Sequence, residues 1–268
     1  MRVSVLGGGT IGSAAAEALN SSGHEVTVTR RSAAKLEKLE NLGIRTMSDN
    51  IVAAQEAEII LMVLKPLDTL FLLEKIGDHT RGKIVISLAA ALSTSKIKSL
   101  IPDSKVVRAM TNVAARVGGG YTVYSSDDLS ESEEGVVSGL LNSFGKTEKV
   151  EERYMDALTA MSGSGPAYIF TIIEAMVYAG LKVGLPRELA LRSSYQTILG
   201  SAKLVAEGNS HVSELRDLVT TPGGVTIDAL YELENSGIRT AFMRAIEAAT
   251  NKARKISEEI DRKGTQNG

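Results

Sequence analysis

The 268-residue chain has no cysteine, which excludes disulfides, thiolate nucleophiles and cysteine-held metals. It has three histidines, His24, His79 and His211, far apart and in no ligand spacing, so no metal site is expected. It has no large excess of either charge. The formal net charge of −2 argues against nucleic acid or an anionic membrane surface as a partner. No apolar run reaches membrane-spanning length, and the N-terminus enters a strand directly, with no signal peptide. The expectation is a cytoplasmic protein with neither nucleic acid nor membrane as partner. What is present is the composition of a soluble globular protein, 43% hydrophobic and 23% charged, in a chain long enough for two modest domains.

The most informative stretch is Arg2–Gly12, RVSVLGGGTIG. Val3, Val5 and Leu6 suit a strand buried on both faces, and the alanine-rich Ser13–Leu19 suits a helix. Between them Gly7, Gly9 and Gly12 match the G-x-G-x-x-G spacing of a dinucleotide-binding turn. Gly7 permits the sharp turn, Gly9 lets backbone approach a pyrophosphate, and Gly12 lets helix and strand pack closely. The N–H groups at the helix start, through Thr10 and Ile11, then face the anion. The alternative is a plain strand–helix turn.

A second strand, Glu25–Thr29, ends in Arg30, Arg31 and Ser32, where NAD-selective folds place an Asp or Glu on the ribose hydroxyl. Two guanidinium groups and a hydroxyl suit a 2′-phosphate instead. NADPH is therefore the expected cofactor, with NADH as the alternative; the bland reading has Ser32 capping a helix over Ala33–Leu42. Further strands fall at Glu58–Leu64, Lys83–Leu88 and Lys105–Met110, with helices between them. That alternation implies parallel βαβ units and a doubly wound sheet, whose ligands bind outside the carboxyl ends of the strands. Lys65, Ser87 and Asn112 fall at such ends. Tyr121–Tyr124 and Lys146–Val150 suit two edge strands around a helix near Ser130–Phe144, whose Glu131, Glu133 and Glu134 favour a helix start.

Beyond Glu151 no further strand is evident. Helical periodicity covers Pro166–Val183, Pro186–Ala206, Val212–Val219, Thr226–Leu233 and Ile238–Ile260, with a frayed end over Lys263–Gly268. The expected architecture is α/β: a Rossmann-type doubly wound sheet over 1–152, then an all-helical domain over 153–268. The helical domain's apolar stripes are of a kind that completes its core against a second subunit. Two glycine stretches stand out. Ser162-Gly163-Ser164-Gly165-Pro166 leads into a long helix and serves as a hinge, a site wall or both. Thr220-Thr221-Pro222-Gly223-Gly224 makes a sharp turn before Thr226. Its bare N–H groups and a hydroxyl would suit a substrate carboxylate, unless Thr226 only caps its own helix.

Taken together, the N-terminal glycine turn, Val63-Leu64-Lys65-Pro66, Ser162–Tyr168 (SGSGPAY) and Leu215–Glu234 around Thr-Pro-Gly-Gly-x-Thr resemble delta-1-pyrroline-5-carboxylate reductases, over nearly the whole chain. The resemblance implies NADPH-dependent reduction of 1-pyrroline-5-carboxylate to L-proline, the last step of proline biosynthesis. It implies that Gly7, Gly9, Thr10, Ile11 and Gly12 hold the pyrophosphate, and that Arg30, Arg31, Ser32 and Asn50 bind the adenosine end. It places Val63, Lys65 and Pro66 along the cofactor ribose, and Ala89 at the nicotinamide. Gly223, Gly224 and Thr226 would hold the substrate carboxylate, with Thr226 the catalytic candidate; Ser162, Gly163 and Asn112 would complete the substrate wall. Relatives form dimers whose helical domains interlock, often in pentamers of dimers, with Thr226 of the partner subunit completing the site.

The chain departs from the family pattern Arg-x-Met-Pro-Asn-x-Pro at Arg108–Ala114, where Thr111 and Ala114 replace both prolines. Two lost φ locks predict a looser loop. The rival activities are a β-hydroxyacid dehydrogenase, a related imine or deazaflavin-linked NADP reductase, and a non-catalytic NADPH-binding protein. The first needs a lysine early in the long helix, which offers Glu174 and no lysine until Lys182. The Thr-Pro-Gly-Gly-x-Thr run argues against the second.

Overall fold

The computed structural model describes residues 1–32 and 36–265. Its sheet has eight strands: β1 (Arg2–Leu6), β2 (Glu25–Thr29), β3 (Arg45–Met47), β4 (Ile59–Met62), β5 (Ile84–Ser87), β6 (Lys105–Met110), β7 (Gly120–Ser125) and β8 (Gly145–Lys149). Their order is β3-β2-β1-β4-β5-β6-β7-β8, and every pairing is parallel except β6 with β7. The chain starts at mid-sheet, winds out to β3, then returns and winds the other way. The crevice opened by that reversal lies at the carboxyl end of β1.

Alternation along the strands fills two cores. Val3, Val5, Ile59, Leu61, Ile86 and Val107 face α1 (Thr10–Ser21) and α6 (Glu131–Asn142), with Leu19, Leu140 and Phe144. Leu6, Ile60, Met62, Val85 and Val106 face α3 (Asn50–Glu56), α4 (Pro66–Ile76) and α5 (Thr94–Leu100), with Leu73 and Ile97. Each such side chain contributes about 1.5–3 kcal/mol by leaving water. The glycine turn therefore hangs from a strand clamped on both faces.

Several local expectations change. The Ala33–Leu42 helix lies partly outside the described residues; what is described is one turn, α2 (Glu37–Glu40). Strand β3 was not anticipated. β7 is not an edge, since it pairs with both β6 and β8. Before the long helix come α7 (Met155–Leu158) and a π-helical turn, Thr159–Gly163. The helices α8 (Gly165–Lys182), α9 (Arg187–Glu207), α10 (Val212–Leu218), α11 (Val225–Asn235) and α12 (Ile238–Thr265) follow the expected segments, and α12 runs past Lys263; 266–268 lie outside the described residues.

Two compact units result: Met1–Pro166 with Glu247–Gly268, and Ala167–Ile246. The end of α12 belongs to the first, where Ile260 joins the core beside α3 to α5. In the second, α8 and α9 pack through Gly180, where a Cβ would meet the Ala190 methyl at 2.7 Å. The expectation of no membrane-length apolar segment needs correction. The helical run Glu152–Lys182 is long and apolar enough by length and composition, once the π turn joins α7 to α8.

Candidate functional site

The glycine turn is fixed by close backbone contacts. The N–H groups of Gly7 and Gly8 donate to the Thr29 carbonyl at 3.2 and 2.7 Å. Gly7 has φ +117°, and a Cβ there would lie 2.3 Å from the Val63 carbonyl oxygen. A Cβ on Gly12 would lie 2.0 Å from the Gly7 carbonyl oxygen, so only glycine lets α1 seat against β1. A Cβ on Gly9 would meet nothing within 4 Å, because it would project into the crevice. Helix α1 begins after Gly9 with no side-chain cap, and Ser13 is the first residue to close an intrahelical bond, onto the Gly9 carbonyl. The N–H groups of Thr10, Ile11 and Gly12 are left for an anion.

An 810 Å³ cavity opens from this turn and brings together Gly7, Gly9, Arg30, Arg31, Ser32, Asn50, Val63 and Lys65. The two arginines differ in role. Arg30 Nη1 donates to the Gly8 carbonyl at 2.9 Å, bracing the turn. Arg31 is 94% exposed and faces the Asp68 carboxylate at 3.7 Å. Asn50, the first residue of α3, accepts from the Thr29 hydroxyl at 2.5 Å on Oδ1, while Asp49 caps the helix. Lys65 ends the β4 loop and Pro66 occupies the first position of α4, where its missing N–H costs nothing. Pro66, Gly12 and Ala89 do not line the cavity; Ala89 is buried after β5, its N–H donating to Ser87 Oγ at 3.3 Å. The next turn holds Ala91 at φ +59°, a buried left-handed alanine. Sequence reasoning missed the wall formed by Asp68, Phe71 and Lys75 of α4. Their i, i+3, i+7 spacing after Lys65-Pro66 was the available signal.

At the end of β6 the loop is tied down. Asn112 accepts from the Ala114 N–H at 3.0 Å and donates from Nδ2 to the Ser162 carbonyl at 3.1 Å. The buried Thr111 hydroxyl accepts from Thr122 Oγ1 at 2.9 Å. Hydrogen bonds that proline could not make stand where its φ locks would be. The Ser162 hydroxyl donates to the Leu158 carbonyl at 2.8 Å, and Gly163 lies against the Met110 thioether. Arg108, which is buried, pairs with Glu152 at 3.2 Å and Asp156 at 2.6 Å, and so braces the segment before the π turn.

In the second unit, Gly223 turns the chain at φ +68°, and the Gly224 N–H donates to the Thr221 carbonyl at 3.0 Å. A Cβ on Gly224 would lie 2.3 Å from Thr221 Oγ1. Helix α11 starts after Gly224 with no side-chain cap. Thr226 is its second residue, so it does not cap the helix. By contrast α3, α5, α6 and α10 are each capped by a side chain, from Asp49, Ser93, Ser130 and His211. Both glycine-led starts, α1 and α11, keep their first N–H groups open for an anion.

Comparison with known proteins covers both halves. Residues 152–256 match the family model described as pyrroline-5-carboxylate reductase dimerisation, and residues 2–91 match NADP oxidoreductase coenzyme F420-dependent. A pyrroline-5-carboxylate reductase of Aquifex aeolicus is 37% identical over 96% of this chain and 97% of its own length. The NADP-bound crystal structure of a Plasmodium falciparum pyrroline carboxylate reductase has a TM-score of 0.88 and 30% identity, covering 96% of this chain and 98% of that one. A pyrroline-5-carboxylate reductase structure from Coxiella burnetii has a TM-score of 0.87 and 32% identity, covering 95% and 98%.

Proposed function

The chain belongs to the pyrroline-5-carboxylate reductase family, and we propose that it reduces 1-pyrroline-5-carboxylate to L-proline with NADPH, NADH being the alternative donor. The observation that carries this reading is the start of α11. A glycine N-cap, open N–H groups and an uncommitted place for the Thr226 hydroxyl make a site for a small carboxylate. The crevice fits a dinucleotide, since Gly9 leaves room where pyrophosphate would approach while Gly7 and Gly12 are closed by backbone.

Under this proposal the open N–H groups of Thr10, Ile11 and Gly12 hold the pyrophosphate, and Gly9, whose own N–H closes onto the Gly7 carbonyl at 2.8 Å, leaves room for it. Arg30 keeps the Gly8 carbonyl turned away from it. Arg31 and Ser32 meet the 2′-phosphate, and Asn50 presents its amide N–H because Thr29 occupies its oxygen. Val63, Lys65 and Pro66 flank the cofactor ribose, and Ala89 the nicotinamide. NADPH, when bound, supplies the hydride that adds to the ring C=N carbon. Gly223, Gly224 and Thr226 hold and orient the substrate carboxylate, with Thr226 of the partner subunit completing the site, and Ser162 and Gly163 supply further substrate contacts. Asn112 places the Ser162 carbonyl. The substrate enters as its iminium, which accepts hydride more readily because it already carries positive charge, or takes its proton through water or the Thr226 hydroxyl. The protein's contribution is position rather than acid–base strength.

The proposal assigns 1–152 to cofactor binding and 153–268 to substrate binding and dimerisation, in a cytoplasmic homodimer. Light scattering distinguishes that dimer from the decamer implied by the family resemblance. The test of the chemistry is Thr226→Ala, followed by NADPH absorbance with the five-membered cyclic imine acid and its six-membered homologue. Expected are a KM higher by about tenfold, a lower kcat/KM and an unchanged Tm, since a charge-assisted bond is lost without a helix cap. Kinetics equal to the parent's would remove Thr226 from the site.

A further inference from the structure

The cavity at the glycine turn has a wall that the proposed cofactor contacts leave without a role. One face of α4 presents Asp68, Phe71 and Lys75 to the cavity, across from Arg31 and Ser32 at the end of β2. Phe71 is 59% exposed, a large apolar ring at the rim of the pocket. The Lys75 ammonium sits 4.1 Å from the ring centroid. Asp68 holds Arg31 at 3.7 Å. Arg30 is engaged with the Gly8 carbonyl. Among the described residues of this part of the cavity, Arg31 and Lys75 are the cations that can swing onto a ligand, and each rests on a weak, exposed contact.

We propose that this face of α4 is the selectivity wall of the nucleotide site. Phe71 is the plate on which adenine stacks, Lys75 joins Arg31 on the ribose 2′-phosphate, and Asp68 tunes the choice between phosphorylated and unphosphorylated cofactor. The inference rests on the dinucleotide reading of the cavity and adds residues to it. An exposed aromatic ring offers a flat apolar surface to any base, so stacking serves NADPH and NADH alike. A 2′-phosphate draws Lys75 off the ring and Arg31 off Asp68, because a charge-assisted bond to phosphate is stronger than an exposed cation–π or surface ion pair. Without that phosphate, Asp68 keeps Arg31 and remains available to a ribose hydroxyl. Asp68 thus opposes the phosphate and tolerates the diol, in the manner of the acid at the end of the second strand in NAD-selective sheets.

The test is equilibrium binding by calorimetry, with NADPH and NADH, and with adenosine 2′,5′-bisphosphate and 5′-AMP as fragments lacking nicotinamide. All three side chains are exposed, so folding of the variants is checked by their Tm. Lys75→Ala should raise Kd for NADPH and the bisphosphate about tenfold and leave NADH and 5′-AMP unchanged. Phe71→Ala should raise Kd for all four by a similar factor, about five- to tenfold. Asp68→Asn should tighten NADPH severalfold and leave NADH equal or weaker. Unchanged phosphate selectivity in both the Lys75 and Asp68 variants overturns the inference, as does an unaffected Kd in Phe71→Ala. A parent protein that binds neither dinucleotide overturns the cofactor reading itself, which separates the two failures.

Discussion

Gly9 and Gly12 lie three residues apart and answer to different constraints. Gly12 is required by the protein, because a methyl there would sit 2.0 Å from the Gly7 carbonyl oxygen. Gly9 is required by the ligand, because a methyl there touches no protein atom within 4 Å. Gly9→Ala should therefore keep the parent Tm while raising Kd for NADPH by about tenfold or more, and Gly12→Ala should lose several degrees of Tm through an overpacked helix–strand contact. Thermal melts with and without nucleotide check both; a stable Gly12→Ala would mean that α1 is free to slide. Arg108 is the opposite kind of residue, a buried charge with two acidic partners. Arg108→Met strands Glu152 and Asp156 and should cost about 3–5 kcal/mol, read by urea unfolding, because broken buried pairs leave uncompensated charge. A loss below about 1 kcal/mol would mean that water already screens the cluster.

Whole segments show what was legible and why. The glycine turn and the central strands could be read because buried parallel strands are apolar runs and the turn needs glycine at fixed offsets. Strand β3 could not: Arg45-Thr46-Met47 carries no alternation and is held by its neighbour β2. The reversal of β7 was readable in retrospect, since the nine residues 111–119 are too few for a parallel crossover. The π turn at Thr159–Gly163 has no compositional mark. Missing prolines alone suggest a loose loop after β6; the folded chain has Asn112 taking up the Ala114 N–H and reaching the Ser162 carbonyl, a pairing across fifty residues that has no local mark. That loop makes its own prediction. Asn112→Ala should destabilise by about 1–2 kcal/mol and raise KM for the imine acid, while Asn112→Asp, which keeps the acceptor and loses the donor, should fall between. Equal KM in both variants and the parent would make the tie purely structural.

For the molecule as a whole, the decisive contrast is between the two units. The first closes two apolar cores around its sheet. In the second, the apolar residues buried are Val177 and Ala190, while Phe170, Tyr178, Leu199, Leu204, Tyr231 and Met243 are more than half exposed. Helices with that much apolar surface in water do not offset the entropy of ordering them. The same apolar surface gives the Glu152–Lys182 run its membrane-like composition, and the stretch matches a dimerisation family. A second copy of the chain covers such a face without any lipid. Folding of the helical unit is then coupled to association, and stability must follow protein concentration by mass action. Each tenfold dilution should remove about 1.4 kcal/mol per mole of dimer and lower the Tm by about 1–3 °C, with reductase activity and sedimenting dimer lost together. A Tm that holds steady across a thousandfold dilution would mean that one chain closes this core alone.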